Sequence, residues 1–440
     1  MDQRLDLESG TIHDLNKPVP GMWRFPKDHP ALCCIYRVPN CMRQVNPQAY
    51  TPQIVLIGPL HRSLKSQALN YHGDIRNTKL MDYLNMERHK KIYLAEFAKR
   101  VGGGEKIIDG LRRTIEEDEE MIRESYSEST AWIESPEFVE MILHDSVFIL
   151  EFILRNYENE DADLSQKTGD PLMDEPCQGA MVRRDLGLLE NQLPYFLLNK
   201  LFEPIIHTLA DITFRELVMF IFYFTDMIGA DSTFRHFTDL SRRFRVETLP
   251  GNYITHEELP EFNEKYHAYK LHRGGVTFNA VDNSLSLDVE FKNGCLNIPC
   301  FYVDGLSEMK LRNIMALEQC HYAFKTHVCD YIFSWIPSST PKKMWPCLSR
   351  KHFLGNIGAV ATMVNTLSLG GLNDFGSHYS VITKDVNSYY HNSWNKSRAV
   401  LKTVYFNNPW RGTATVAATL LLLLTLIQTM TSVMQVLPKK

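Results

Sequence analysis

The chain has 440 residues, 44% of them hydrophobic and 22% charged, enough to bury one large core or two smaller ones, since single cores stop growing at about 250 to 300 residues. A formal net charge of −5 and a pI near 6.4 leave no overall basic field, so nucleic acid is not expected as a partner. The nine cysteines, Cys33, Cys34, Cys41, Cys177, Cys295, Cys300, Cys320, Cys329 and Cys347, are odd in number and irregularly spaced, which argues against a disulfide framework.

Residues 1–30 mix Asp2, Arg4, Asp6, Glu8, Lys17 and Arg24 with prolines. They read as a flexible arm without a cleavable targeting segment. Cys34 to Pro39 and Ile54 to Pro59 are short apolar runs closed by proline, expected to be extended with turns between them. From Leu80 the period changes: Leu80, Leu84, Ile92 and Phe97, then Ile108, Leu111, Ile115 and Ile122 after Gly102 to Gly104, predict two amphipathic helices. The acidic run Glu116 to Glu120 must wind round the second of these and reads as a solvated segment. Ser135-Pro136-Glu137 predicts a helix start, with serine as cap and proline in the first turn. The helix that follows carries Phe138, Met141, Ile142, Phe148, Ile149, Phe152 and Ile153 inward, and its acids Asp145 and Glu151 are expected at the edge of that face.

Glu158 to Asp174 is acidic and rich in turn formers, so an exposed loop is expected there. Leu188 to Leu198 reads as an apolar helix bent by its internal Pro194, with Glu190, Asn191 and Gln192 satisfying the freed backbone groups in a structural network. Gly275 to Phe278 and Leu285 to Phe291 alternate apolar and polar residues. Asn293-Gly294 then leads into Cys295 to Pro299, a strong hairpin signal. Helical spacing returns over Ser307 to Tyr322, and further helices are expected within Ile332 to Phe406. The fold class is therefore mainly α, a multi-helix globular body over 31–409 with short strands near 275–299.

Residues 410–440 are expected to form a transmembrane anchor and a short basic tail. Ala414 to Val433 carries no charge across 20 residues, which at a 1.5 Å rise matches a hydrocarbon core of about 30 Å. Trp410 and Arg411 precede it and Lys439 and Lys440 follow it, as interfacial anchors do. Lys396, Arg398, Lys402 and Arg411 lie on one side and two lysines on the other, so basic residues do not orient the span. Tail insertion with the body in the cytosol is the simpler expectation. With the body facing outward, Asn395-Lys396-Ser397 would be a glycosylation acceptor.

Signatures of common chemistry are missing: no phosphate loop, no Gly-x-Ser-x-Gly elbow, no His-Glu-x-x-His helix and no paired Cys-x-x-Cys. The best enzymatic candidate is Cys320 beside His321, but neighbours on a helix point about 100° apart, so a distant histidine such as His61 or His144 would have to serve as base. Cys320, His321 and Cys329 are at unsuitable intervals for zinc. No catalytic, metal or cofactor-binding residue is expected.

Several strings together resemble a known family: Ile35-Tyr-Arg-Val-Pro39, Ile57-Gly-Pro-x-His61, Met86-Glu-x-x-Lys90, Phe148-Ile-Leu-Glu151, Leu188-Leu-Glu-Asn-Gln-Leu-Pro194, Phe291-x-Asn-Gly-x-Leu-x-Ile-Pro299, Arg312-Asn313, Ala316-x-Glu-Gln-Cys320 and Tyr405-Phe-x-Asn-Pro-Trp410. Their order is similar to that of the plant family called domain of unknown function 247. Departures exist: Asp145 is followed by Ser146 and Val147, and the Ile-Pro strand is followed by Asp304-Gly305. The resemblance implies a plant membrane-anchored protein without assigned catalytic residues, and, because some grass members are linked to self-incompatibility, a pollen-side determinant as one expectation. The reading that follows is a non-catalytic recognition or signalling protein with a protein or peptide partner. A membrane-tethered enzyme with a cysteine nucleophile and a structural scaffold are the alternatives.

Overall fold

In the computed structural model the described residues are 18–24, 30–72, 78–160, 167–209, 212–224, 233–250, 268–281, 286–299, 304–323, 325–335, 363, 366–367, 369–371, 378–401, 405–406 and 408–436. Most of the N-terminal arm, the centre of the Glu158 to Asp174 loop, much of the region from 336 to 377, Cys300, Cys347, Lys439 and Lys440 lie outside them. The protein is mainly helical with one small three-stranded sheet. It divides into two compact units, one formed by Met1–Pro250, Val303–Ile332 and Thr362–Asn373, the other by Gly251–Tyr302, Phe333–Ala361 and Asp374–Lys440.

The first unit is built round one helix, Ser135–Glu158, whose Phe138, Ile142, Val147, Phe148, Ile149, Phe152 and Ile153 are all fully buried. A helix apolar on every side must be surrounded, and Thr78–Arg100, Glu105–Glu117 and Phe214–Ile221 pack against it. Each large side chain so buried is worth about 1.5 to 3 kcal/mol. Ring stacking of Phe148 on Tyr93 at 5.5 Å and on Phe152 at 6.2 Å adds to this. Pro136 sits in the first turn as expected, but Ser135 is not the cap: Glu134 precedes the helix, and the Ser135 hydroxyl donates to Glu119. Because the helix is enclosed, Asp145 and Glu151 are not at a face edge. They are 1% and 0% exposed and are held by cations.

Other elements depart from expectation for similar reasons. The two helices flanking Gly102 to Gly104 form, as Thr78–Arg100 and Glu105–Glu117, but the acidic run does not lie wholly in solvent. The helix stops at Glu117, and Asp118 is buried against the Lys200 ammonium at 2.7 Å. Ile35 forms only an isolated bridge with Tyr126, and Ile54 to Gly58 is irregular, with bends at Ile54 and Gly58 and no strand. Leu188 to Pro194 is a series of turns rather than a bent helix, and the helix begins after the proline, at Tyr195–Leu209. Proline biases the residue before it away from helix and suits the start of one. The Asn191 and Gln192 side chains are moreover spent on backbone groups of other segments.

The second unit contains Thr277–Val281, Glu290–Lys292 and Cys295–Pro299 in one sheet with the last strand central, parallel to the first and antiparallel to the second. The predicted hairpin forms. Asn293 and Gly294 take φ of 52° and 76°, the left-handed pair of a tight two-residue turn. Tyr389 of the helix His378–His391 packs edge-on to Phe291 at 5.7 Å, and the Tyr379 hydroxyl donates to the Leu287 carbonyl at 2.7 Å.

The chain then runs through Ser393–Val400 into the terminal helix Pro409–Val436. Within Pro409–Met434 the most apolar 18-residue stretch has a mean hydropathy of 1.9, and none of that stretch is buried. Leu420 to Leu424 are 53% to 71% exposed. Among the described residues this is the one helix long and apolar enough to cross a membrane.

Candidate functional site

The segment from Gln53 to His61 has no ladder to satisfy its backbone, and side chains from four other elements do so instead. Asp185 accepts from Gln53 N at 2.8 Å, Ile54 N at 2.8 Å and Val55 N at 3.1 Å, a run of consecutive amides closing on one carboxylate. Asn191 takes the next turn in both directions: its Oδ1 accepts from Ile57 N at 2.6 Å and its Nδ2 donates to Val55 O at 3.1 Å. Gly58 N donates to Asp145 at 2.7 Å, and the Leu56 carbonyl receives the Lys90 ammonium at 2.6 Å. A buried backbone without partners would cost the full desolvation of each group. Here five amide donors and two carbonyl acceptors are bonded.

Asp145 is also the centre of an ion cluster. Its two oxygens meet Lys65 at 2.5 Å and Lys90 at 2.7 Å, with Glu87 2.5 Å from Lys90. All three central side chains are at most 3% exposed. The shifts follow the geometry. Burial works against the Asp145 carboxylate, but two lysines outweigh it and hold it below the usual carboxylate range. Burial likewise works against both ammoniums. Lys65, with only Asp145 in contact, is pushed down, whereas Lys90, shared by Asp145 and Glu87, is held up.

The polar triplet is fully employed in the same structure. Glu190 bonds Val38 N at 2.7 Å and pairs with Arg37 and Arg43, while Arg37 forks onto Glu128 at 2.8 and 2.6 Å. Gln192 donates to Leu186 O and Leu188 O at 2.6 and 2.7 Å and accepts from Phe237 N at 2.9 Å. No polar group of Asn191 or Gln192 is left to bind a ligand, so the structural network expected for the triplet is what forms.

Cys320 and His321 do not make a nucleophile and base. Burial pushes the Cys320 thiol up to about 12, and the charges around it come from Cys33, Cys41 and Glu190 rather than from His61 or His144. A thiol raised this far is almost wholly protonated at neutral pH. His321 is bonded away to the Tyr36 hydroxyl at 3.0 Å and to Arg235 at 2.5 Å, and burial lowers it to about 4. His61 is lowered to about 3 by burial first and by Arg37 and Lys65 next. Cys329 is 1% exposed, its amide bonded to Glu318 at 2.8 Å. Among the described residues no three His, Cys, Asp or Glu side chains converge as metal ligands.

A concave feature among the described residues lies elsewhere, a wide, open depression of about 460 Å³ lined by Tyr195, Phe196, Asn199, Glu203, Thr213 and Arg215. Its floor is rigid. Tyr195 stacks on Phe214 at 5.9 Å and tilts against Phe234 at 4.1 Å, and Thr213 and Glu216 form a reciprocal cap on the helix Phe214–Ile221. Glu203 accepts from Phe214 N at 3.0 Å. Sequence reasoning missed this cleft, which arises from packing between helices and leaves no local motif. It also missed Lys65 as a partner of Asp145. The available signal was a charged residue in the middle of an apolar helix, which must be paired if buried.

Several of the segments that carried the family resemblance come together in this lattice. Ile57-Gly58, Glu87 and Lys90, Asp145 and Asn191 meet round the segment 53–58, and Asn313 bonds Leu189 N at 2.9 Å and Ala49 O at 2.8 Å. In comparisons with known proteins, the sequence model of a family described as a plant protein of unknown function, DUF247, matches residues 35–424. The chain is similar to the UPF0481 protein At3g47200 of Arabidopsis thaliana, 24% identical over 93% of this chain and 88% of that protein. No solved structure matches it.

Proposed function

Because the chain belongs to DUF247, a family of plant proteins of unknown function, we propose that it is a single-pass membrane protein, anchored by its C-terminal helix, that acts by binding a protein or peptide partner. The observation that carries this reading is the chemistry of the terminal helix. Each of its threonine hydroxyls bonds to a carbonyl one turn back: Thr413 to Pro409, Thr415 to Arg411, Thr419 to Thr415, Thr425 to Leu421, Thr429 to Thr425 and Thr431 to Ile427, at 2.8 to 3.1 Å. Hydrocarbon offers no partner for a free hydroxyl, so internal satisfaction is what a spanning helix needs.

A cytosolic body is supported by the thiols. The seven described cysteines are free, the adjacent Cys33 and Cys34 included, as suits a reducing compartment. Asn395 also favours it, since its amide donates to the Tyr389 carbonyl at 3.1 Å within a helix and is poorly presented as a glycan acceptor. Recognition rather than catalysis is favoured because the ionic and amide lattice is spent on structure and Cys320 is not activated. The cleft at Tyr195 and Arg215, with aromatic, amide and oppositely charged walls, suits a peptide side chain and is the place to test.

Full-length protein extracted in mild detergent and used for capture should enrich the same partner in wild type and lose it in Arg215→Glu. Equal recovery by both would refute the cleft as the recognition surface. A pollen-side role in self-incompatibility rests on the resemblance alone, and makes pollen and stigma membranes the first tissues for that capture.

A further inference from the structure

The segment just before the terminal helix leaves unusual side chains in solvent. The helix Ser393–Val400 is started by Asn392, whose Oδ1 accepts from Trp394 N at 2.9 Å. Trp394, Arg398 and Leu401 follow at intervals of four and three, which puts them on one side of the helix. Trp394 is 78% exposed and Leu401 48%, and Arg398 is also exposed. Nothing in the sequence after Asp385 is acidic, whereas Lys396, Arg398, Lys402 and Arg411 lie between it and the apolar stretch. Among the described residues neither Arg398 nor Arg411 pairs with a carboxylate.

This basic and aromatic segment is fixed to the foot of the terminal helix. Phe406 N bonds Leu401 O at 2.9 Å, and the Thr415 hydroxyl reaches the Tyr405 carbonyl at 3.4 Å. The Tyr405 carbonyl and the Phe406 ring therefore lie beside the first turns of that helix, at Thr415 and Gly412, and Trp410 in its first turn is 85% exposed. Indole rings and snorkelling cations collect where headgroups meet acyl chains.

The geometry points to the helix Ser393–Val400 with Leu401, Tyr405, Phe406, Trp410 and Arg411 as a lipid-contact surface that docks on the headgroups of anionic phospholipids in the leaflet entered by the terminal helix. This rests on the anchoring reading above and adds to it a preferred lipid charge and a second membrane contact besides the span. Charge complementarity selects the occupant: cations without acids meet a negative leaflet, each contributing a modest, salt-sensitive attraction. The body would then be held at a set angle to the bilayer instead of swinging on a tether.

The test uses full-length protein reconstituted into vesicles of phosphatidylcholine alone or mixed with phosphatidylserine, with bromine on the upper acyl carbons. The difference in tryptophan quenching between wild type and Trp394→Phe isolates Trp394. That difference should be large in anionic vesicles and small in neutral ones, and should fall in high salt. Lys396→Glu with Arg398→Glu should lower the docked population by about fivefold for each cation removed. Both proteins should remain in the membrane pellet at alkaline pH. Equal Trp394 quenching in the two vesicle types, in protein that stays in that pellet, overturns the headgroup contact alone. Release from the pellet overturns the anchoring reading beneath it.

Discussion

Asp145 shows what a single residue contributes in this protein. It neutralises two buried ammoniums and caps the Gly58 amide. Replacing it by alanine leaves the buried Lys65 ammonium without a counter-charge and Lys90 with Glu87 alone, a loss of about 3 to 5 kcal/mol. Asp145→Ala should therefore unfold at a clearly lower temperature than wild type in the same detergent, and an unchanged transition would show that the cluster is not the centre described. Histidine provides a second residue-scale test. His236 donates its Nε2 proton to the Cys34 carbonyl at 3.0 Å and accepts from Asp239 N on Nδ1 at 3.4 Å, so it must be neutral to cap its helix. Burial lowers His61 to about 3 and His236 to about 4. Each binds a proton in the unfolded chain below about pH 6.5 but not in the folded one. Stability is then complete above that value and falls as pH drops towards 4, by up to about 1.4 kcal/mol per pH unit for each histidine. His61→Gln should flatten the fall measured by denaturant unfolding between pH 6.5 and 4. A slope equal to that of wild type would count against a neutral, buried His61.

Among the elements, the segment before His61 is the least conventional, because side chains replace a β-ladder. Gly58 lies at φ 76° and ψ 176°, a region that only glycine enters cheaply. A Cβ there would come within 2.7 Å of the Gln192 carbonyl oxygen. Gly58→Ala should lower the melting temperature by an amount equivalent to roughly 1 to 3 kcal/mol and increase amide exchange across residues 53–58. Unchanged protection would mean that the segment is held in some other way. The elements legible in the sequence were those whose cause is local. Pro136 and the apolar periodicity marked the central helix, Asn293-Gly294 marked the hairpin, and the uncharged run marked the terminal helix. Leu188 to Pro194 was misread because its conformation is decided by where Asn191 and Gln192 bond, on segments distant in sequence. Ile54 to Gly58 was read as extended, but the amides of Gln53, Ile54 and Val55 all turn onto Asp185, and nothing local says that Asp185 and Asn191 satisfy the segment. The cleft walled by Tyr195 and Arg215 was illegible for a different reason: its sides are two helices consecutive in the chain, and the angle at which they pack, set by Phe214 against Tyr195 and Phe202, leaves no local motif.

For the whole molecule, the account depends on the terminal helix being in a bilayer. Its exposed leucines would be a large apolar liability in water, whereas in hydrocarbon they are at rest and the threonines need no solvent. Removing residues 409–440 should yield a protein recovered in the aqueous fraction with its near-ultraviolet circular dichroism intact, and aggregation of that fragment would mean the helix belongs to the body's own core. The most direct measurement takes membranes holding the intact protein and washes them in alkaline carbonate without detergent. The account predicts that the protein stays in the pellet and leaves it only when detergent is added. Its appearance in the carbonate supernatant would contradict the anchor and every role built on it.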